Sequence, residues 1–119
     1  MESNKLQSAI SAILDDAKGR NLQVINVRDI SDVTDYIVIA SGTSNRHVSS
    51  VADRVISTMR DEYDIKPLGS EGKQGGEWVL VDYGDVVVHI MHPDTREFYQ
   101  LEKLWADVGD RESLEQQDL

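Results

Sequence analysis

Cysteine is absent from the 119 residues, which excludes disulfides, thiolate nucleophiles and thiolate metal ligands together and fits a reducing compartment. No apolar run approaches the ~18 residues of a bilayer-spanning helix, and Met1-Glu2-Ser3-Asn4-Lys5 has none of the charged-then-apolar layout of a secretory leader. A cytoplasmic protein away from membranes is expected. Bases are scarce as well. Twelve Lys and Arg face 22 Asp and Glu, for a net charge of -10, and such a field repels a polyphosphate backbone. Direct sequence-specific nucleic-acid binding is therefore not expected, and a basic protein is the natural partner.

What remains is 39% apolar residues, enough for one modest core in one domain. That domain is expected over 1–106. Residues 107–119 hold five acids against Arg111 with few large apolar groups, and read as an acidic, disordered tail. The body is acidic without it, with 17 acids against 11 bases.

Apolar residues at three- and four-residue steps predict a helix over Ser3 to Lys18, with Ser3 placed to cap it and Gly19 to stop it. Asn21 to Arg28 alternates and is β-branched, as a strand. Tyr36 to Ala40 is apolar on both faces, the pattern of a central strand. A second helix follows Ser41-Gly42-Thr43-Ser44, capped by Thr43 or Ser44 and ending near Tyr63. Lys66 to Gly76, with Pro67 and four glycines, reads as a mobile loop. Strands over Glu77 to Tyr83 and Asp85 to Met91 flank a turn at Tyr83-Gly84. Asp94 or Thr95 is placed to cap a third helix bearing Phe98, Leu101, Leu104 and Trp105. The order α-β-β-α-β-β-α describes a small α/β domain with a mixed sheet of about four strands.

Chemistry-bearing constellations are few. The turn Gly42-Thr43-Ser44 opens a helix whose N-terminal amides can seat an anion, yet it has neither P-loop nor dinucleotide glycine spacing; a capped turn, with Arg46 and His47 facing solvent, is the plainer reading. Metal-assisted phosphoryl transfer needs carboxylates on one face of a strand. Here Asp82 and Asp85 are three apart across a turn and Asp32 and Asp35 three apart in a loop, so no metal is expected. His89 and His92, three apart at a strand and its end, point to opposite faces, and His89 reads as a hydrogen-bonded, partly buried strand histidine. Trp105 continues an apolar stripe and reads as core. Trp78 starts a strand beside a glycine-rich loop and suits core or interface anchor alike.

Several separated stretches agree in order with one family. These are Asp35-Tyr36, Gly42-Thr43-Ser44-Asn45-Arg46-His47, Glu71-Gly72, Trp78, Asp82-Tyr83-Gly84-Asp85, Val87-Val88-His89, and Arg96 with Tyr99, Leu101, Glu102, Leu104 and Trp105. From about Leu6 to Trp105 the chain resembles the ribosomal silencing factors, also called Iojap-like proteins. The resemblance implies a nucleotidyltransferase-like fold without the metal-binding carboxylate pair, and a role needing no cofactor and no bond chemistry. Such proteins bind a large-ribosomal-subunit protein at the face that meets the small subunit and sterically block joining when nutrients are short. They are also linked with large-subunit biogenesis and are homodimers when free. On this reading Trp78 is an apolar anchor, Asp82 and Asp85 accept from lysine or arginine, and Tyr83 supplies area with a polar tip; Asp82 and Asp85 are equally placed to hold the hairpin turn through its backbone. The alternative is a nucleotide-binding protein or enzyme built on the Gly42 to Ser44 turn.

Overall fold

A computed structural model describes residues 1–105 of the chain; the tail expected over 107–119 lies outside the described residues. Eight elements follow in order: α1 (Ser3–Asp16), β1 (Arg20–Asn26), β2 (Tyr36–Ser41), α2 (Asn45–Tyr63), β3 (Gly69–Glu71), β4 (Trp78–Asp82), β5 (Val86–Met91) and α3 (Pro93–Tyr99). A further helical stretch covers 101–105. The strands form one sheet of order β1-β2-β5-β4-β3. Only β2 and β5 run parallel; the other pairs are antiparallel. Parallel neighbours need a crossover connection, and α2 lies within it.

The apolar stripes explain the packing. Leu6, Ile10, Ile13 and Leu14 of α1 and Val48, Val51, Val55 and Met59 of α2 are buried on one face of the sheet. They join Val38, Ala40, Val79, Val81, Val88 and Ile90 in the main core. The opposite face holds a smaller cluster of Val27, Ile37, Ile39 and Met91, partly covered by Leu101 and Trp105. One side of the sheet is thus sealed by two helices, and the other is half open.

Local chemistry sets the element ends, not always as the sequence suggests. Glu2, with no side-chain cap bond, precedes α1, so Ser3 is its first residue and not its cap. Lys18, at φ 66°, takes the left-handed position, and the Gly19 amide donates to the Leu14 carbonyl at 2.8 Å, closing the helix with a reversed turn. At α2 the Ser44 hydroxyl accepts from the His47 amide at 3.1 Å, as a capping serine should. The α3 cap is His92, whose Nδ1 accepts from the Asp94 amide at 3.2 Å; Asp94 and Thr95 lie inside the helix.

Three expectations need larger correction. Gly69–Glu71 is a fifth, edge strand paired with β4. The segment after it is tethered: the Ser49 hydroxyl donates to the Lys73 carbonyl at 2.7 Å, Lys73 pairs with Asp53 at 2.9 Å, and the Gly76 amide donates to the Gly72 carbonyl at 3.0 Å. The third helix breaks at Gln100, which sits at φ 46°. Phe98 and Leu104, expected on a buried stripe, are 79% and 57% exposed, while Arg96 is buried instead.

Candidate functional site

Strand β4 alternates along its length: Val79 and Val81 are buried, and Trp78, Leu80 and Asp82 are only partly covered. Successive strand side chains point to opposite faces, so the first pair enters the sealed core and the other three lie on the half-open face. Register extends this face sideways. Leu80 stands opposite Glu71 on β3 and His89 on β5, and His89 stands beside Ile39. Asp82 is opposite Val87, and Val87 beside Ile37.

Trp78 is held in a defined orientation. Its indole Nε1 donates to His89 Nδ1 at 2.9 Å, and its ring lies 5.0 Å from that of Tyr99, tilted by 51°. Phe98 meets Tyr99 edge-on at 5.0 Å. His89 is the hydrogen-bonded strand histidine expected: only 7% exposed, with burial lowering its pKa to about 4. A neutral ring with a bare Nδ1 is what the indole donor requires.

The four residues expected to bind a partner divide. Trp78 and Asp82 share the half-open face. Asp82 also holds the turn, its Oδ1 accepting from the Gly84 amide at 2.8 Å, while Gly84 takes φ +84°, a conformation glycine supplies without steric cost. Asp85 is exposed at the hairpin tip; its carbonyl accepts from the amides of Asp35 and Tyr36 at 2.9 and 3.1 Å. Tyr83 is corrected: it belongs to the main core at 9% exposure. Its hydroxyl is buried without a partner among the described residues, and burial pushes its pKa up to about 12. The parity of the strand explains this, since Tyr83 continues the Val79 and Val81 side. It offers no polar tip to a partner.

The candidate anion turn is a capped helix entry. The Gly42 amide donates to the Met91 carbonyl at 3.1 Å and the Thr43 amide to His47 Nδ1 at 2.9 Å, while the His47 amide is taken by Ser44. His47 itself is half-buried, its Nε2 lying 3.1 Å from the Ala17 carbonyl, so it does not face solvent freely. A Cβ on Gly42 would fall 2.7 Å from Val48 Cγ2: glycine is there for close packing. The Gly42, Thr43 and His47 amides are thus engaged inside the fold.

At the other end of the half-open face, Arg96 is bonded through Nε to Glu102 at 2.8 Å and through Nη1 to the Ser41 hydroxyl at 2.9 Å. This ties the 101–105 stretch over Ile37, Ile39 and Met91. Burial opposes ionisation of Glu102, but its own backbone amide and Arg96 outweigh that and leave its pKa below the usual range. A cavity of about 600 Å³ adjoins this pair, with its one buried cation already satisfied. A smaller one of about 330 Å³ is lined by Glu71, Gly72, Trp78 and Leu80. In the sequence Arg96 and Glu71 stand out only as parts of a pattern. Neither the burial of Arg96 nor the pairing of Glu71 with Leu80 has a local sequence signal.

Among the described residues no three His, Asp or Glu side chains converge as a metal group, and no helix is long and apolar enough to cross a membrane. Fold and site together define a small α/β domain whose distinctive feature is an acidic-rimmed, aromatic sheet face. The model of the family described as ribosomal silencing factor during starvation matches residues 1–119. The chain is 45% identical over 93 residues to ribosomal silencing factor RsfS of Haemophilus influenzae, covering 78% of this chain and 90% of that one. A crystal structure of a Chromobacterium violaceum protein superposes with a TM-score of 0.86 at 37% identity, over 89% and 88% of the two chains. A longer mouse relative, mitochondrial assembly of ribosomal large subunit protein 1, is 38% identical over 80% of this chain and 42% of its own. The chain belongs to the ribosomal silencing factor family.

Proposed function

We propose that this chain docks on a basic protein of the large ribosomal subunit, at the face that meets the small subunit, and blocks subunit joining by occupying that face. No bond is made or broken. The observation that carries this reading is the half-open face of β4, where Trp78, Leu80 and Asp82 lie together. Interfaces concentrate energy in partly buried aromatic anchors ringed by polar groups, and Trp78 is such an anchor, fixed by His89 and Tyr99. Asp82 and, from the hairpin tip, Asp85 supply acceptors for lysine or arginine. The net charge of -10 favours encounter with a basic target, acting on association rate more than on final affinity.

The same reading places the protein in the cytoplasm, as a homodimer when free, with repression of translation under nutrient limitation and a second role in large-subunit biogenesis. It treats the fold as nucleotidyltransferase-like but without catalysis. The engaged amides of Gly42 and Thr43 favour it over a nucleotide-binding enzyme.

Gradient sedimentation of large and small subunits under association conditions tests it. With the protein in excess, the joined peak should collapse and the protein should travel with the large subunit. An unchanged peak, with the protein at the top of the gradient, would refute steric silencing.

A further inference from the structure

The cavity beside Trp78 has a composition of its own. Its walls are the Trp78 and Leu80 side of β4, and its margin is Glu71 and Gly72 at the end of β3. Glu71 and Leu80 are register partners, so their side chains stand on the same face of the sheet. Glu71 is exposed and enters none of the ion pairs among the described residues.

The groove is built into the backbone. Gly72 has φ +89°, and a Cβ there would fall 2.0 Å from the Trp78 carbonyl oxygen. Only glycine lets the chain leaving Glu71 approach β4 so closely. The tether of Lys73 to Ser49 and Asp53 fixes that approach from the α2 side. On the opposite side His89 and Tyr99 fix the indole. Both walls are therefore set before any ligand arrives, which lowers the ordering cost of binding.

We propose that this groove is a binding site for one arginine side chain of the basic partner, with its stem on Leu80, its guanidinium against the Trp78 indole and its edge paired with the Glu71 carboxylate. The proposal rests on the docking reading above and names the chemistry of one contact in it. Arginine fits better than lysine on physical grounds. A guanidinium is planar and weakly hydrated, stacks on an indole and forms two parallel hydrogen bonds to one carboxylate. A strongly hydrated ammonium would lose most of its shell against two apolar walls in return for a single acceptor.

Co-sedimentation of the full chain with purified large subunits, across a salt series, is the test. Wild type should pellet with the subunits. Glu71→Gln should weaken binding about tenfold, as expected for loss of one charge-assisted pair, and flatten the salt dependence. Leu80→Arg, which brings a guanidinium of its own into the groove, should weaken binding more than about 100-fold through like-charge exclusion. Glu71 is exposed, so Glu71→Gln should melt as wild type does and serves as the control should Leu80→Arg fold poorly. Wild-type binding with both variants equal to it would overturn the groove while leaving the docking reading intact; failure of wild type itself to pellet would overturn both. Carbodiimide treatment of the complex couples carboxylates to lysine and not to arginine. A Glu71-to-lysine cross-link would overturn arginine as the occupant.

Discussion

Trp78 and His89 are joined by one hydrogen bond, indole Nε1 to imidazole Nδ1 at 2.9 Å, and this bond tolerates only a neutral histidine. Burial lowers the His89 pKa to about 4, against ~6.5 in an unfolded chain. The unfolded state therefore binds more protons between those values. Stability from this group is complete above pH 6.5 and lost as pH falls toward 4, by roughly 3 kcal/mol. Thermal melts from pH 7 to 4 should show the decline. In His89→Gln the slope between pH 6.5 and 4 should be distinctly shallower, whatever the variant's absolute stability.

Asp82 has two roles that substitution can separate. Asp82→Asn keeps an oxygen for the Gly84 amide and removes the charge, so it should weaken subunit binding about tenfold with a melting curve near wild type. Asp82→Lys should abolish binding, and it gives up the turn bond as well, with a cost of about 1 kcal/mol. If Asp82→Asn pelleted as fully as wild type, the carboxylate would have no part in docking.

Tyr83→Phe should leave binding unchanged and keep or raise stability by up to about 1 kcal/mol, because it removes a buried hydroxyl without a partner at constant shape. Calorimetry beside the sedimentation assay checks both. A loss of binding would return Tyr83 to the interface.

The α2 entry turn should behave as structure. Ser44→Ala removes the cap and should cost about 1 kcal/mol. Gly42→Ala drives a methyl into Val48 and should cost about 1–3 kcal/mol. Neither should change subunit binding per folded molecule; reduced binding with an unaltered melt would show that the turn meets a ligand.

Arg96→Ala would strand the Glu102 carboxylate and the Ser41 hydroxyl. About 3 kcal/mol should be lost, and hydrogen exchange should rise first in 101–105, the stretch this pair holds down. Uniform loss of protection would contradict the tether.

Periodicity made much of this fold readable. The stripes of α1 and α2 and the β-branched runs of β2, β4 and β5 state their burial locally. Gly69-Ser70-Glu71 has no such pattern, being exposed throughout, and it becomes a strand only because β4 presents an unpaired edge. Gln100 breaks a helix with no glycine or proline to announce it. Trp78 and Asp82 could be singled out from sequence; which face each occupied could not, because Tyr83 follows Asp82 directly and only the sheet separates them. Arg96 carries no local sign of burial, and its side chain meets groups 55 and 6 residues away.

The alternation along β4 has an evolutionary consequence. Odd positions 79 and 81 answer to the core and even positions 78, 80 and 82 to whatever lies outside, so selection on partner choice and selection on folding act on different residues of one five-residue strand. A saturation scan of 78–82 scored for both abundance and subunit binding should separate by parity. A lineage whose ribosomal target drifted could follow it through the even positions alone, leaving the two helices behind them undisturbed.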